Sequence, residues 1–230
     1  MATKKIKIKV TKKKINFKKI LLSLLLILVI VFGVVSFIKM PLKNIYISGN
    51  EILTDYDILK ESELADYPPY FNTYFIDIKK KLLANDYIEE VNIKRKLPSK
   101  IYIEIKEYKP LAIYKDKMIL SSKKMVDKSP EINYLPYVVN DMNAVYDKFV
   151  NSFTKVDNDI LLKISHIEYA PNEVDKERFI LYMIDANYVH VTLSKIEKIN
   201  KYNSIVSELD GKKGIIYLDS GDYLEIKNKD

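Results

Sequence analysis

The chain has 230 residues, 48% of them hydrophobic and 30% charged, with a formal net charge of +7 and no cysteine. The lack of cysteine excludes disulfides, thiol nucleophiles and Cys-based metal sites. The basicity is local: residues 1–39 hold ten lysines and no acid, so the remaining 191 residues contribute −3, and no nucleic-acid partner is expected.

The first element is an unbroken apolar run of nineteen residues, Ile20 to Ile38, interrupted only by Ser23, Gly33 and Ser36. As a helix it reaches about 28 Å, close to the ~30 Å hydrocarbon core of a bilayer, so one membrane span over residues 20–39 is expected. Lys4, Lys5, Lys7, Lys9, Lys12, Lys13, Lys14, Lys18 and Lys19 precede it, and short lysine-rich flanks stay cytoplasmic. Residues 1–19 therefore read as a basic cytoplasmic tail that sets topology and touches anionic head groups. A cleaved signal peptide needs a shorter apolar core and small residues at the cleavage site, and no alanine occurs between Ala2 and Ala65. The segment is expected to remain as an anchor, with the rest of the chain outside.

No linker-like or low-complexity tract interrupts residues 40–230. Ile45 and Ile47 alternate with polar residues in Leu42 to Ser48, a strand ended by Gly49-Asn50. Thr54 and Asp57 have capping-box spacing before a short helix with Ile58, Leu59 and Leu64 on one face. After Pro68-Pro69, Asn72 or Thr73 can cap a second helix carrying Phe75, Ile78, Leu82 and Leu83, to about Asp86. Val91 and Ile93 alternate, Leu97-Pro98 breaks the chain, and Ile101, Ile103 and Ile105 alternate again. The order is β-α-α-β-β, in which two helices can cover one face of a three-stranded sheet.

The run Ile45-x-Ile47-x-Gly49-Asn50, then Leu82 to Asn85, then Ile88-x-x-Val91-x-Ile93-x-Arg95-x-Leu97-Pro98-x-x-Ile101-x-Ile103-x-Ile105-x-Glu107-x-x-Pro110-x-Ala112 resembles the POTRA domain of the bacterial cell-division proteins FtsQ and DivIB. Its place directly after one membrane helix is similar too.

Further along, Leu111 to Met125 reads as strand, turn and strand, and Leu135-Pro136-Tyr137-Val138 resembles the leucine-proline motif of the same family. Tyr146, Phe149, Val150 and Phe153 form an amphipathic helix, and Ile164, Ile167 and Tyr169 lead to Ala170-Pro171. Arg178 to Ile184 and Tyr188 to Leu193 are strands around Asp185-Ala186-Asn187. Relatives favour glycine where Ala186 stands, and alanine resists positive φ, which leaves the turn type open. Ser194 and Glu197 have capping-box spacing for a helix with Ile199, Tyr202, Val206 and Leu209 as its stripe and Gly211 beyond its end. Gly214 to Leu224 resembles the last segment of the DivIB β-domain, and the resemblance as a whole covers about residues 20–226.

The chemistry-bearing patterns are sparse. S-x-x-K occurs at Ser36/Lys39, Ser121/Lys124 and Ser152/Lys155, without the S-D-N or K-T-G that would make an acyl-transfer site. His166 and His190 sit in strand-like segments 24 residues apart, not in a ligand cluster. The acidic pairs Asp55/Asp57, Asp157/Asp159 and Asp219/Asp222 suit caps and turns. No catalytic residue, metal, cofactor or small-molecule substrate is expected.

Tyrosine occurs 18 times, and two copies flank a turn near the end of the chain. A terminal strand tends to lie at a sheet edge, where a partner strand can add through main-chain hydrogen bonds. The segment from Tyr217 to Lys227 is the expected partner-binding edge: Tyr217, Leu218, Asp219, Ser220, Gly221, Tyr223, Leu224, Glu225 and Ile226 are its candidate residues.

These readings combine into an α+β chain: tail 1–19, membrane helix 20–39, POTRA domain 40–111 and a β-rich domain with flanking helices over 112–230. The resemblance implies a non-catalytic, single-pass division protein of the cytoplasmic membrane, acting at the septum. Its implied partners are FtsL-type and FtsB/DivIC-type proteins, with the septal peptidoglycan synthases reached indirectly. A membrane-anchored POTRA module for protein export is the alternative, and a cell-wall hydrolase the third reading.

Overall fold

The computed structural model describes residues 16–128, 132 and 134–226; the lysines from Lys4 to Lys14, and Lys227, lie outside the described residues. The apolar run forms α1, Phe17–Ile38, whose 22 residues span about 33 Å at ~1.5 Å per residue. None of its side chains is buried by protein, and it is the one helix among the described residues long and apolar enough to cross a membrane.

Next come β1 (Asn44–Ser48), α2 (Asp55–Glu61), a 3-10 turn at Tyr70–Asn72, α3 (Phe75–Leu82), β2 (Ile88–Lys96) and β3 (Lys100–Glu107). The strands pair in the order β1-β3-β2, with β1 parallel and β2 antiparallel to the central β3. Side chains alternate along β3: Ile101, Ile103 and Ile105 are buried, while Tyr102, Glu104 and Lys106 face outward. Ile58 of α2 and Ile78 and Leu82 of α3 share one core with those isoleucines.

The expected capping box forms, with Thr54 Oγ1 accepting the Asp57 N–H and the Asp57 carboxylate accepting the Thr54 N–H. The cap expected for α3 does not. Asn72 belongs to the 3-10 turn, Thr73 donates its hydroxyl to the Pro69 carbonyl at 2.9 Å, and Tyr74 occupies the cap position without a side-chain bond. The turn after Pro69 places the threonine over a carbonyl four residues back, and that acceptor wins.

Gly49 has φ +83°, and a Cβ there would lie 2.1 Å from the Ile105 carbonyl oxygen, so glycine is required for β1 to end against β3. Beyond it, the Glu107 carboxylate accepts the backbone N–H groups of Glu51, Ile52 and Leu53 at 2.7–2.9 Å, fastening this turn to the end of β3.

The second unit holds β4 (Pro110–Tyr114), β5 (Lys117–Leu120), β6 (Met125–Asp127), β7 (Tyr137–Val138), α4 (Tyr146–Phe153), α5 (Asn158–Leu161), β8 (Ile164–Tyr169), β9 (Arg178–Met183) and β10 (Tyr188–Thr192). It continues through a 3-10 helix at Leu193–Lys201 into α6 (Tyr202–Ser207), β11 (Gly214–Tyr217) and β12 (Tyr223–Ile226). Nine strands form one sheet in the order β12-β11-β10-β9-β8-β7-β4-β5-β6. Phe149 and Phe153 of α4 stack at 4.1 Å, and Phe149 meets Phe179 of β9 at 5.6 Å, at the centre of the larger core.

The helix after β10 departs from expectation. Ser194 and Glu197 make no capping box; Thr192 is the cap residue, and Glu197 pairs with Lys155 at 2.6 Å. The first nine residues are 3-10 rather than α. Spacing explains this: Leu193, Ile196, Ile199 and Tyr202 recur every three residues and are all buried, and a helix with three residues per turn puts all four on one face.

The Asp185-Ala186-Asn187 turn places Ala186 at φ +67°. Asn187, buried, donates to Tyr202 Oη at 3.1 Å and accepts the Gly214 N–H at 2.9 Å, and Tyr202 donates to Asp185 at 2.7 Å. Burial, then the Asp185 carboxylate, push the Tyr202 phenol far above its usual 10. One turn thus holds the starts of α6 and β11.

Candidate partner-binding edge

β12 lies at one end of the nine-stranded sheet and, among the described residues, pairs only with β11, antiparallel from Gly214↔Ile226 to Tyr217↔Tyr223. The opposite end is the three-residue β6, where Tyr87 donates its hydroxyl to the Asp127 carbonyl at 3.0 Å. Of the two ends, β12 presents the longer strand.

The connection into β12 is tightly held. Leu218 is buried and donates its N–H to the His190 carbonyl at 2.8 Å. Arg178 donates from Nε to Asp219 Oδ2 at 2.7 Å, and Lys195 donates to the Asp219 carbonyl at 2.7 Å. Burial would raise the Asp219 carboxyl, but Arg178 and the Ser220 N–H outweigh it and hold it below 3.8. Asp222 pairs with Lys198 at 2.6 Å on the surface. The Tyr217 and Tyr223 rings stack at 4.4 Å and 14°, and Tyr217 donates to Glu225 at 3.2 Å.

The nine candidate residues are therefore of two kinds. On the outer side Ser220, Tyr223, Glu225 and Ile226 are exposed and Tyr217, Gly221 and Leu224 half-buried, whereas Leu218 and Asp219 point into the structure as anchors of the turn. Arg178, Lys195 and Lys198, absent from the sequence-based set, organise the same turn. One signal was available, since Arg178 is one of only two arginines in the chain.

The catalytic-looking patterns are occupied otherwise. Ser121 accepts the Lys109 N–H at 3.0 Å and Lys124 pairs with Asp86 at 2.6 Å; Lys155 pairs with Glu197. His166 lies on β8 and His190 on β10, where Arg178 donates to its Nδ1. Among the described residues no three His, Asp or Glu side chains are grouped to hold a metal.

A family model described as "POTRA domain, FtsQ-type" matches residues 40–108, the segment from the end of α1 through β3. The cell division protein DivIB of Bacillus anthracis is 28% identical over 225 residues, spanning 92% of this chain and 84% of that one. Over most of its length this chain is similar to the FtsQ/DivIB cell-division proteins. DivIB of Bacillus subtilis is 29% identical over 220 residues, covering 89% and 82% of the two chains. DivIB of Listeria monocytogenes is 28% identical over 236 residues, covering 93% and 85%. The solved extracytoplasmic domain of DivIB from Geobacillus stearothermophilus aligns at 20% identity with a TM-score of 0.36, over 45% of this chain and 95% of that one, too distant a superposition to bear on the fold. These similarities support a role in cell division, and α1 gives the chain the make-up of a single-pass membrane protein.

Proposed function

We propose that the chain is a non-catalytic scaffold of the division machinery, with residues 1–19 inside the cell and the POTRA domain (40–111) and β-domain (112–230) outside. The lysine-rich segment before α1 supports that orientation. Its partners on this reading are the small coiled-coil proteins of the FtsL and FtsB/DivIC type, through which it acts on septal peptidoglycan synthases.

The observation that carries the reading is the open edge of β12. An edge strand offers unpaired backbone groups, and Tyr217 and Tyr223 give an added strand an aromatic surface to pack on. Residues Tyr217, Ser220, Gly221, Tyr223, Leu224, Glu225 and Ile226 would contact the partner, with Leu218 and Asp219 holding the turn.

Backbone pairing is tested by proline, which removes a donor. Glu225→Pro or Leu224→Pro, or truncation after Gly221, should abolish co-purification with the FtsB/DivIC-type protein from native membranes, while Tyr223→Ala weakens it less. Undiminished capture by a folded Glu225→Pro variant would overturn the assignment.

A further inference from the structure

The end of the first sheet that receives the chain from α1 also carries the tip of the β2–β3 hairpin. β1 runs parallel to β3, so both start at the same end, and the Lys43 N–H bonds to the Ser99 carbonyl at 3.0 Å. Only five residues lead from Ile38 to Lys43, at most about 18 Å of extended chain. Phe37, in the last turn of α1, packs on Phe71 with ring centroids 4.8 Å apart, and the Tyr70 N–H donates to the Met40 carbonyl at 2.9 Å. The Arg95 guanidinium lies 5.0 Å from the Tyr70 ring and 4.3 Å from the Phe75 ring, bringing the hairpin tip and the start of α3 to this same end.

This end exposes apolar side chains beside cations. Leu97, at the tip, is 68% exposed and Ile76 is 81% exposed. Lys39, Lys43, Lys94, Lys96 and Lys100 surround the exit, and none of them takes part in an ion pair among the described residues. Against these five lysines and Arg95, the acids nearest in sequence to Tyr70 and Ile76 are Asp66 and Asp77.

We propose that this end of the POTRA unit docks on the bilayer surface from which α1 emerges, with Leu97 and Ile76 entering the interfacial layer and the lysines binding anionic phospholipid head groups. Exposed apolar tips ringed by lysine are the pattern of an interfacial membrane contact, and continuity with α1 puts the bilayer surface within reach. Charge complementarity selects the anionic head group. The docking holds the POTRA unit against the membrane. The inference rests on α1 spanning the bilayer.

The chain contains no tryptophan, so a single introduced one reports its own surroundings. The full chain carrying Leu97→Trp, and separately Ile76→Trp, is reconstituted into vesicles of phosphatidylglycerol and phosphatidylcholine with brominated acyl chains. Both probes should emit toward the blue and be quenched by bromine, while Val174→Trp, at a loop position 96% exposed, stays unquenched. Quenching of Leu97→Trp should fall in vesicles of phosphatidylcholine alone, and on adding Lys96→Glu and Lys100→Glu. Unquenched emission from both probes in protein that resists carbonate extraction would overturn the docking, whereas chain released by carbonate would overturn the anchor itself. Equal quenching with and without phosphatidylglycerol would overturn the anionic head-group assignment.

Discussion

Arg178 on β9 donates from Nε to Asp219 Oδ2 at 2.7 Å, across 41 residues of sequence, with the two side chains only 17% and 9% exposed. The turn into β12 is therefore fixed to the middle of the sheet by a largely buried ion pair, and the geometry of the edge depends on it.

Removing one member leaves the other charge buried and unpaired. Asp219→Ala should cost about 1.5–3 kcal/mol in urea unfolding of the detergent-solubilised chain. The exposed Lys198–Asp222 pair is different in kind, and Asp222→Ala should cost about 0.2–1 kcal/mol. Partner capture should follow the same order, with Asp219→Ala the weaker binder.

Arginine can only donate, so His190 Nδ1 accepts from Arg178 and the imidazole is neutral. Burial, then the Arg178 charge, hold its pKa below the usual 6.5. The unfolded chain takes up this proton first, so the contribution is full above 6.5 and is lost on acidification toward the lower folded value. Asp219 acts in a lower window: its contribution is present above 3.8 and lost as pH falls through its depressed folded value. Unfolding midpoints should decline in two steps, and His190→Gln should remove the first while leaving the second.

A Cβ at Gly214 would lie 2.6 Å from the Glu225 carbonyl oxygen, a backbone atom of the paired strand. Gly214→Ala should push β12 away from β11, and limited proteolysis should then cleave within 219–226 faster than in the wild type. Gly211→Ala serves as the comparison: it has open space around it but a φ of +79°, so it should lower stability without exposing β12.

Ala186 holds φ +67°, where a Cβ costs about 1–2 kcal/mol. Ala186→Gly relieves that strain against a smaller loss of unfolded-state entropy, so it should stabilise the chain by about 0.5–1 kcal/mol and raise the thermal midpoint.

What could be read from the sequence was what a few neighbouring residues encode. The uninterrupted run to Ile38 specified α1, the alternation at Ile101, Ile103 and Ile105 specified the buried face of β3, and Thr54 with Asp57 specified a cap that the structure contains. The helix after β10 marks the limit of such reading, because Ile199, Tyr202, Val206 and Leu209 have α spacing while Leu193 and Ile196 extend a period of three. Tertiary structure alone decided which strands pair in parallel, that β11 is the neighbour of the edge strand β12, and that Arg178 reaches Asp219. Those outcomes depend on groups tens of residues apart competing for the same partners. Periodicity determines which way a side chain faces, whereas the neighbour it meets is set by how the whole chain closes its core.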